Sequence, residues 1–197
     1  MDWSIVHALN GYLAGHDAVE DPAVAYVNAT EVLFAAFLVV LFLVGRGRWA
    51  IARPAGVAAA ASTALALALG KIVSTMVDRP RPFVAHPGGV HLFAPHAADA
   101  GFPSDHATAA FAIAVAVLLR HRPLGIVATV LAMLLAVGRV AIGVHYPTDV
   151  LAGAALGAVS ALVLWAPPMR RRLDWLAAAA GRGFDGALRR GGALGRA

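Results

Sequence analysis

The chain has 197 residues, of which 60% are hydrophobic and only 14% charged, with a mean hydropathy of +0.73. A soluble domain is about half apolar and about a quarter charged, so this composition excludes one and points to a single membrane-embedded domain. The lack of cysteine excludes disulfides and thiolate chemistry. The net charge of +5 does not indicate nucleic acid, because most basic residues fall in short loops and in the tail.

In chain order, residues 1–17 lack the basic start and long apolar core of a cleavable signal peptide. Residues 3–15 are apolar but short and read as an interfacial helix. A bilayer span needs about 20 mostly apolar residues. Five segments qualify, over about 23–44, 54–77, 104–119, 123–144 and 147–166. The third is short and must begin inside the boundary or tilt. The expected fold is an all-α polytopic membrane helix bundle of about five transmembrane helices plus the N-terminal interfacial helix. Residues 1–167 form the membrane domain and 168–197 a basic tail. The spacing of Leu173, Leu176, Ala180, Phe184 and Leu188 suits a helix on anionic lipid, and the glycines suit a fraying polar tail.

Cytoplasmic loops are enriched in Lys and Arg. The loop after the first span carries Arg46, Arg48 and Arg53, the "RHRP" loop carries Arg120 and Arg122, and the tail carries the rest except four. That side is therefore cytoplasmic. Of the 16 basic residues only Lys71, Arg79, Arg81 and Arg139 lie at or near the opposite face, where the rule does not put them. Catalysis, anion binding or buried ion pairs must hold them there.

Three clusters lie at those outer ends. In "GKIVSTMVDRPRPF" (70–83), Lys71 sits inside the second span, about 9 Å below Val77 at about 1.5 Å per residue. A lysine at that depth is costly and marks a functional or paired site. Arg79 and Arg81 each precede a proline, so their guanidinium groups come from a stiff extended segment. Such planar forks suit phosphate oxygens. In "GFPSDHAT" (101–108), Ser104 is placed as a helix N-cap, with Asp105 and His106 in the first turn. The same residues suit plain capping or an anion site at a helix N-terminus. In "GRVAIGVHYPTDVLAG" (138–153), Arg139 ends the fourth span and His145 precedes a helix that opens at Pro147. Asp149, four residues on, can reach the imidazole and fix its tautomer. Two histidines, a carboxylate and four cations around two helix starts suit a phosphate or diphosphate, with nucleophilic and acid histidines.

These clusters resemble the signature of the phosphatidic acid phosphatase type 2 superfamily: Lys, six residues, Arg-Pro; Pro-Ser-Gly-His; Ser-Arg, five residues, His, three residues, Asp. The resemblance covers residues 71–149. "DRPRPFVAHP", "FPSDHAT" and "GVHYPTDVLAG" look most like the bacitracin-resistance branch, the undecaprenyl diphosphate phosphatases. Three positions depart from the signature. Lys71 stands seven residues before the first Arg-Pro and nine before the second, and if Arg81 is the motif arginine the lysine slot holds Ser74. Asp105 replaces the glycine of the second motif, and Gly138 the serine before Arg139.

The resemblance implies a phosphohistidine route with no metal or cofactor. His145 attacks the terminal phosphorus, Asp149 orients it, and His106 protonates the leaving oxygen. Arg79, Arg81, Ser104, Arg139 and Lys71 hold the phosphate. The implied substrate is an isoprenoid or glycerolipid phosphate whose chain stays in the bilayer: undecaprenyl diphosphate first, phosphatidic acid or phosphatidylglycerol phosphate as competitors. The site then faces the extracytoplasmic side of a bacterial cell membrane. His86 contacts the distal phosphate or shapes its loop, His91 and His96 read as loop residues, and Glu31 pairs with an arginine or faces the site. Two other classes stay open: a metal-dependent phosphatase using the outer acidic residues with His86 or His106, and a lipid-phosphate transporter. Oligomeric state is not legible in the sequence, and the Gly153–Gly157 spacing suits packing within one chain or between two.

Overall fold

The computed structural model describes residues 1–93 and 96–194. Its helices are α1 (Asp2–Ala14), α2 (Asp17–Val44), α3 (Ala52–Val77), α4 (Pro82–Ala85), α5 (Asp105–Leu118), α6 (Arg122–Ala141), α7 (Pro147–Trp165) and α8 (Pro167–Leu194). The fold is an all-α polytopic bundle. Four segments, carrying α2, α3, α6 and α7, are long and apolar enough to cross a bilayer, and α5 is a shorter apolar helix.

The short third segment is explained by where it sits. α5 is the central post, packed against α3, α6 and α7, so it need not present a full span to lipid. Most of its buried residues are small: Ala107, Ala110, Ala112, Ala114 and Ala116, beside Thr108, Ile113 and Val117. Gly153 and Gly157 let α7 lie almost on the α5 backbone. A Cβ at Gly157 would fall 2.4 Å from the Thr108 carbonyl oxygen, inside any tolerable contact. Of the two readings of that glycine pair, the structure shows the packing within one chain. The outward faces of α2, α6 and α7 carry Val32, Leu33, Val39, Ile126, Val130, Leu134, Leu151 and Val163 in exposed positions, as a lipid-facing surface requires.

Two boundaries differ from expectation. α2 starts at Asp17, earlier than residue 23, because the acidic residues Asp17 and Glu20 suit the positive end of a helix. α6 stops at Ala141 rather than running to residue 144, since Gly143 turns the chain with φ of +81°. That turn frees His145 from both flanking helices.

The tail forms α8, which is helical through Leu194. Asp174 pairs with Arg120 at 2.6 Å, and Asp185 pairs with Arg46 and with the buried Arg53 at 3.1 and 3.2 Å. α8 therefore packs across the end of the bundle that carries the arginine-bearing loops after α2 and α5. At the opposite end α1 lies over the bundle. Val6 is fully buried, and Asn10 joins His91 to Ala141, donating to both carbonyl oxygens at 2.9 Å.

Candidate active site

α3 ends where Asp78 takes a left-handed conformation. The chain then runs through Arg79-Pro80-Arg81 in proline-restricted backbone and enters α4 at Pro82. Arg81 has φ −67° and ψ 157°, polyproline-type geometry with about three residues per turn, so side chains two residues apart diverge. Arg81 turns into a cavity of about 490 Å³. There it is buried, donating from Nε to Asp99 at 2.9 Å, and from Nη1 to the Val144 carbonyl at 3.2 Å and to His145 Nε2 at 3.1 Å. Arg79, expected beside it over the phosphate, turns away. Its Nη1 meets Thr148 Oγ1 at 2.6 Å and Asp149 Oδ1 at 2.8 Å, its Nη2 meets Asp2 at 3.0 Å, and it does not line the cavity.

His145 is the centre of the cavity's polar end. A guanidinium only donates and a carbonyl only accepts, so the partners fix the tautomer. Nε2 accepts from Arg81 and, at 3.4 Å, from Arg139 Nη2, while Nδ1 carries the proton and donates to the Gly101 carbonyl at 2.9 Å. Asp149 Oδ2 is 3.7 Å from Nδ1, an ion-pair distance for a charged ring rather than a hydrogen bond. The expected His145–Asp149 hydrogen bond is thus replaced at rest by one to the main chain. Asp149 is fully buried and spends Oδ2 on the Tyr146 N–H at 2.7 Å, closing the start of α7. Burial, reinforced by Arg139 and Arg81 and opposed by Asp149, pushes the His145 pKa down to about 4. The ring is neutral with its lone pair facing two cations.

Arg139 reaches the cavity from α6. Its Nη2 donates to His96 Nε2 at 2.9 Å, and its buried Nε has no partner among the described residues. A buried, unspent donor beside Arg81 fits an anion. His106 lies in the first turn of α5 with Nε2 2.9 Å from Glu31 Oε1 of α2. Of the two expectations for Glu31, it faces the site, lining the cavity, and its partner there is the second histidine rather than an arginine. Lys71 and Ser74, one turn apart on α3, both line the same cavity, as does Asp105. Ser104 is fully buried. Its hydroxyl accepts from Ala107 N at 3.5 Å as the N-cap of α5, and it does not line the cavity. Of its two readings, capping is the one seen. His86 stacks on Trp3 at 3.8 Å, away from the cavity.

His96, read as a loop residue, and Asp99, read only as one of the outer acidic residues, have a role at the site that sequence reasoning missed. Both line the cavity, and each holds one arginine of the site in place. Burial, then Arg81 and Arg139, lowers the pKa of His96, leaving it a neutral acceptor. They lie in an aperiodic loop, and only loop closure onto the arginines identifies them. Below the polar end the cavity continues between apolar residues of α2, α3, α5 and α6: Phe34, Leu38, Leu67, Ala109, Ile113 and Leu135. Among the described residues, no group of three or more His, Asp or Glu is placed to hold a metal ion.

A helical membrane bundle with a neutral histidine set between two arginines at the head of an apolar trench defines a lipid-phosphate site. The PAP2 superfamily profile matches residues 55–172, and the chain belongs to that superfamily. It is 35% identical over 152 residues to the undecaprenyl-diphosphatase BcrC of Bacillus subtilis (strain 168), covering 77% of this chain and 76% of that protein. It is 42% identical over 101 residues to the bacitracin transport permease protein BcrC of Bacillus licheniformis, covering 51% of this chain and 49% of that one. The crystal structure of Aquifex aeolicus LpxE superposes with a TM-score of 0.66 at 24% identity, covering 82% of this chain and 93% of that one, a likeness of fold. The protein is a membrane protein.

Proposed function

We propose that this protein is an undecaprenyl diphosphate phosphatase, releasing inorganic phosphate and returning the monophosphate carrier lipid through a phosphohistidine intermediate. The observation that carries the reading is the His145 ring. Its proton is held on Nδ1 by the Gly101 carbonyl, and its Nε2 lone pair faces the cavity between Arg81 and Arg139. Passage of a lipid phosphate needs cations but no nucleophile in a fixed tautomer, so hydrolysis is favoured over the transport that the B. licheniformis relative's name denotes.

In the reaction, His145 Nε2 attacks the terminal phosphorus. The bond to the bridging oxygen breaks, and His106, paired with Glu31, gives that oxygen its proton. Arg81 and Arg139 neutralise the equatorial oxygens, the main task in phosphoryl transfer. The ring becomes cationic as the P–N bond forms, and the Asp149 carboxylate 3.7 Å away stabilises it. Water then attacks phosphorus while His106 takes its proton, the P–N bond breaks, and His145 returns neutral. The isoprenoid chain leaves the polar end along the apolar trench into the bilayer.

The substrate follows the B. subtilis relative, and the sidedness follows the loop arginines. With Arg46, Arg53 and Arg120 at the cytoplasmic end, the site opens on the extracytoplasmic face and α8 lies in the cytoplasm. The test is phosphate release by reconstituted protein from undecaprenyl diphosphate, undecaprenyl phosphate, phosphatidic acid and phosphatidylglycerol phosphate, with and without chelator. Undecaprenyl diphosphate is expected to be cleaved fastest, chelation to change nothing, and terminally labelled substrate to leave acid-labile label on the protein but not on His145→Ala. An active His145→Ala variant, or lipid movement across vesicles without hydrolysis, contradicts the scheme.

A further inference from the structure

Arg79 is a cation of the signature segment that does not line the phosphate cavity, yet both of its terminal guanidinium nitrogens are spent. Its guanidinium joins three side chains on two helices: Asp149 and Thr148 at the start of α7, and Asp2 at the start of α1. It stacks 4.0 Å from the centre of the Tyr146 ring, and Asp2 also accepts from Thr148 at 2.5 Å. Its main-chain carbonyl accepts from Gly101 N at 2.8 Å. Gly101 in turn presents the carbonyl that takes the Nδ1 proton of His145. The two acceptors nearest Nδ1, the Gly101 carbonyl and Asp149, are therefore both fastened to this one residue, the first through its main chain and the second through its side chain.

We infer that Arg79, clamped by Asp2 of α1, is a positioning residue for the nucleophile and not a phosphate ligand, so that α1 is part of the catalytic apparatus. This rests on the phosphatase reading of His145. Asp149 is a fully buried carboxylate, and a buried anion needs a counter-charge. Arg79 provides it at 2.8 Å. Take the guanidinium away and the next cation available to Asp149 is the His145 ring itself, at 3.7 Å. A protonated His145 has no lone pair to attack with. The other groups facing the ring are Arg81 from the segment before α4, Arg139 from α6 and, across the cavity, His106 from α5. Arg81 and Arg139 oppose protonation, and with Arg79 gone Asp149 favours it with no competing cation, its Oδ2 still accepting from the Tyr146 N–H.

The experiment is steady-state hydrolysis of undecaprenyl diphosphate as a function of pH by the full chain in detergent. Arg79→Gln is expected to lower kcat on the order of 10²-fold, as for an ångström-scale misplacement, with KM within about twofold and the acid limb of the profile moved towards neutral pH. Arg79→Lys keeps the charge and should keep the acid limb while recovering part of kcat. Asp2→Asn should give a smaller loss in the same direction and carries the test if Arg79→Gln does not fold. Arg81→Gln should raise KM. An Arg79→Gln variant that loses affinity at unchanged kcat, or keeps the wild-type kcat and acid limb, overturns the assignment. His145→Ala in the same assay separates the two ideas, since activity there would defeat the phosphatase reading itself.

Discussion

Adding one methyl group at Gly153 should cripple the site without touching any residue of the cavity. A Cβ there would lie 2.6 Å from the Ser104 carbonyl oxygen and 2.9 Å from Thr108 Oγ1, while ordinary contact begins at 3.4 Å. Relief requires the first turn of α5 to withdraw by about 0.8 Å, the difference between 2.6 and 3.4 Å. That turn carries His106 and is tied to α7 by the Ser104 N–H to the Asp149 carbonyl at 3.1 Å. A shift near 1 Å in a reacting group costs on the order of 10² in rate. Overpacking costs about 1–3 kcal/mol, offset in part by the roughly 1 kcal/mol better helix propensity of alanine. Gly153→Ala should therefore lose about two decades of kcat and a few degrees of Tm, measured by phosphate release and by thermal unfolding in detergent. Gly186→Ala on α8, where a Cβ meets nothing within 4 Å, is the control and should keep full activity. A Gly153→Ala protein with wild-type kcat and Tm would refute the close α5–α7 approach as what sets the acid.

Glu31→Gln should lower kcat about tenfold with KM little changed, a charge-assisted bond discounted for the exposure of Glu31. In a His106→Ala background the same change should cost nothing, and an additive loss there would mean Glu31 acts elsewhere. Stability should fall in acid. His145 is neutral when folded, with its pKa depressed from 6.5 to about 4, so its contribution is complete above about pH 6.5. It is lost progressively as pH drops from there towards 4, on the order of 3 kcal/mol in all. The Tm of His145→Gln between pH 4.5 and 7.5 should show a flatter profile than wild type, and an unchanged slope would assign the acid sensitivity to other groups.

Much of this protein is decided along the chain. Apolar segments of bilayer length give the bundle because only helices satisfy their own backbone in hydrocarbon. The asymmetry of arginines gives two unlike ends, and the spacing from Arg139 through His145 to Asp149 brings three groups to one helix junction within eleven residues. What the sequence could not assign are the contacts that depend on distance in space. Two arginines in the same Arg-Pro repeat read alike, yet polyproline-type backbone sends Arg81 into the cavity and Arg79 out to Asp149 and Asp2. The Nδ1 proton of His145 goes to a carbonyl 44 residues away, and no side-chain pattern encodes a main-chain acceptor. His96 and Asp99 carry no period because their loop is shaped by the arginines it closes on, and Glu31 meets His106 only because α2 borders the same cavity as α5. Covalent spacing sets which groups share a helix end. The packing of small residues in α5 and α7 sets which of them meet.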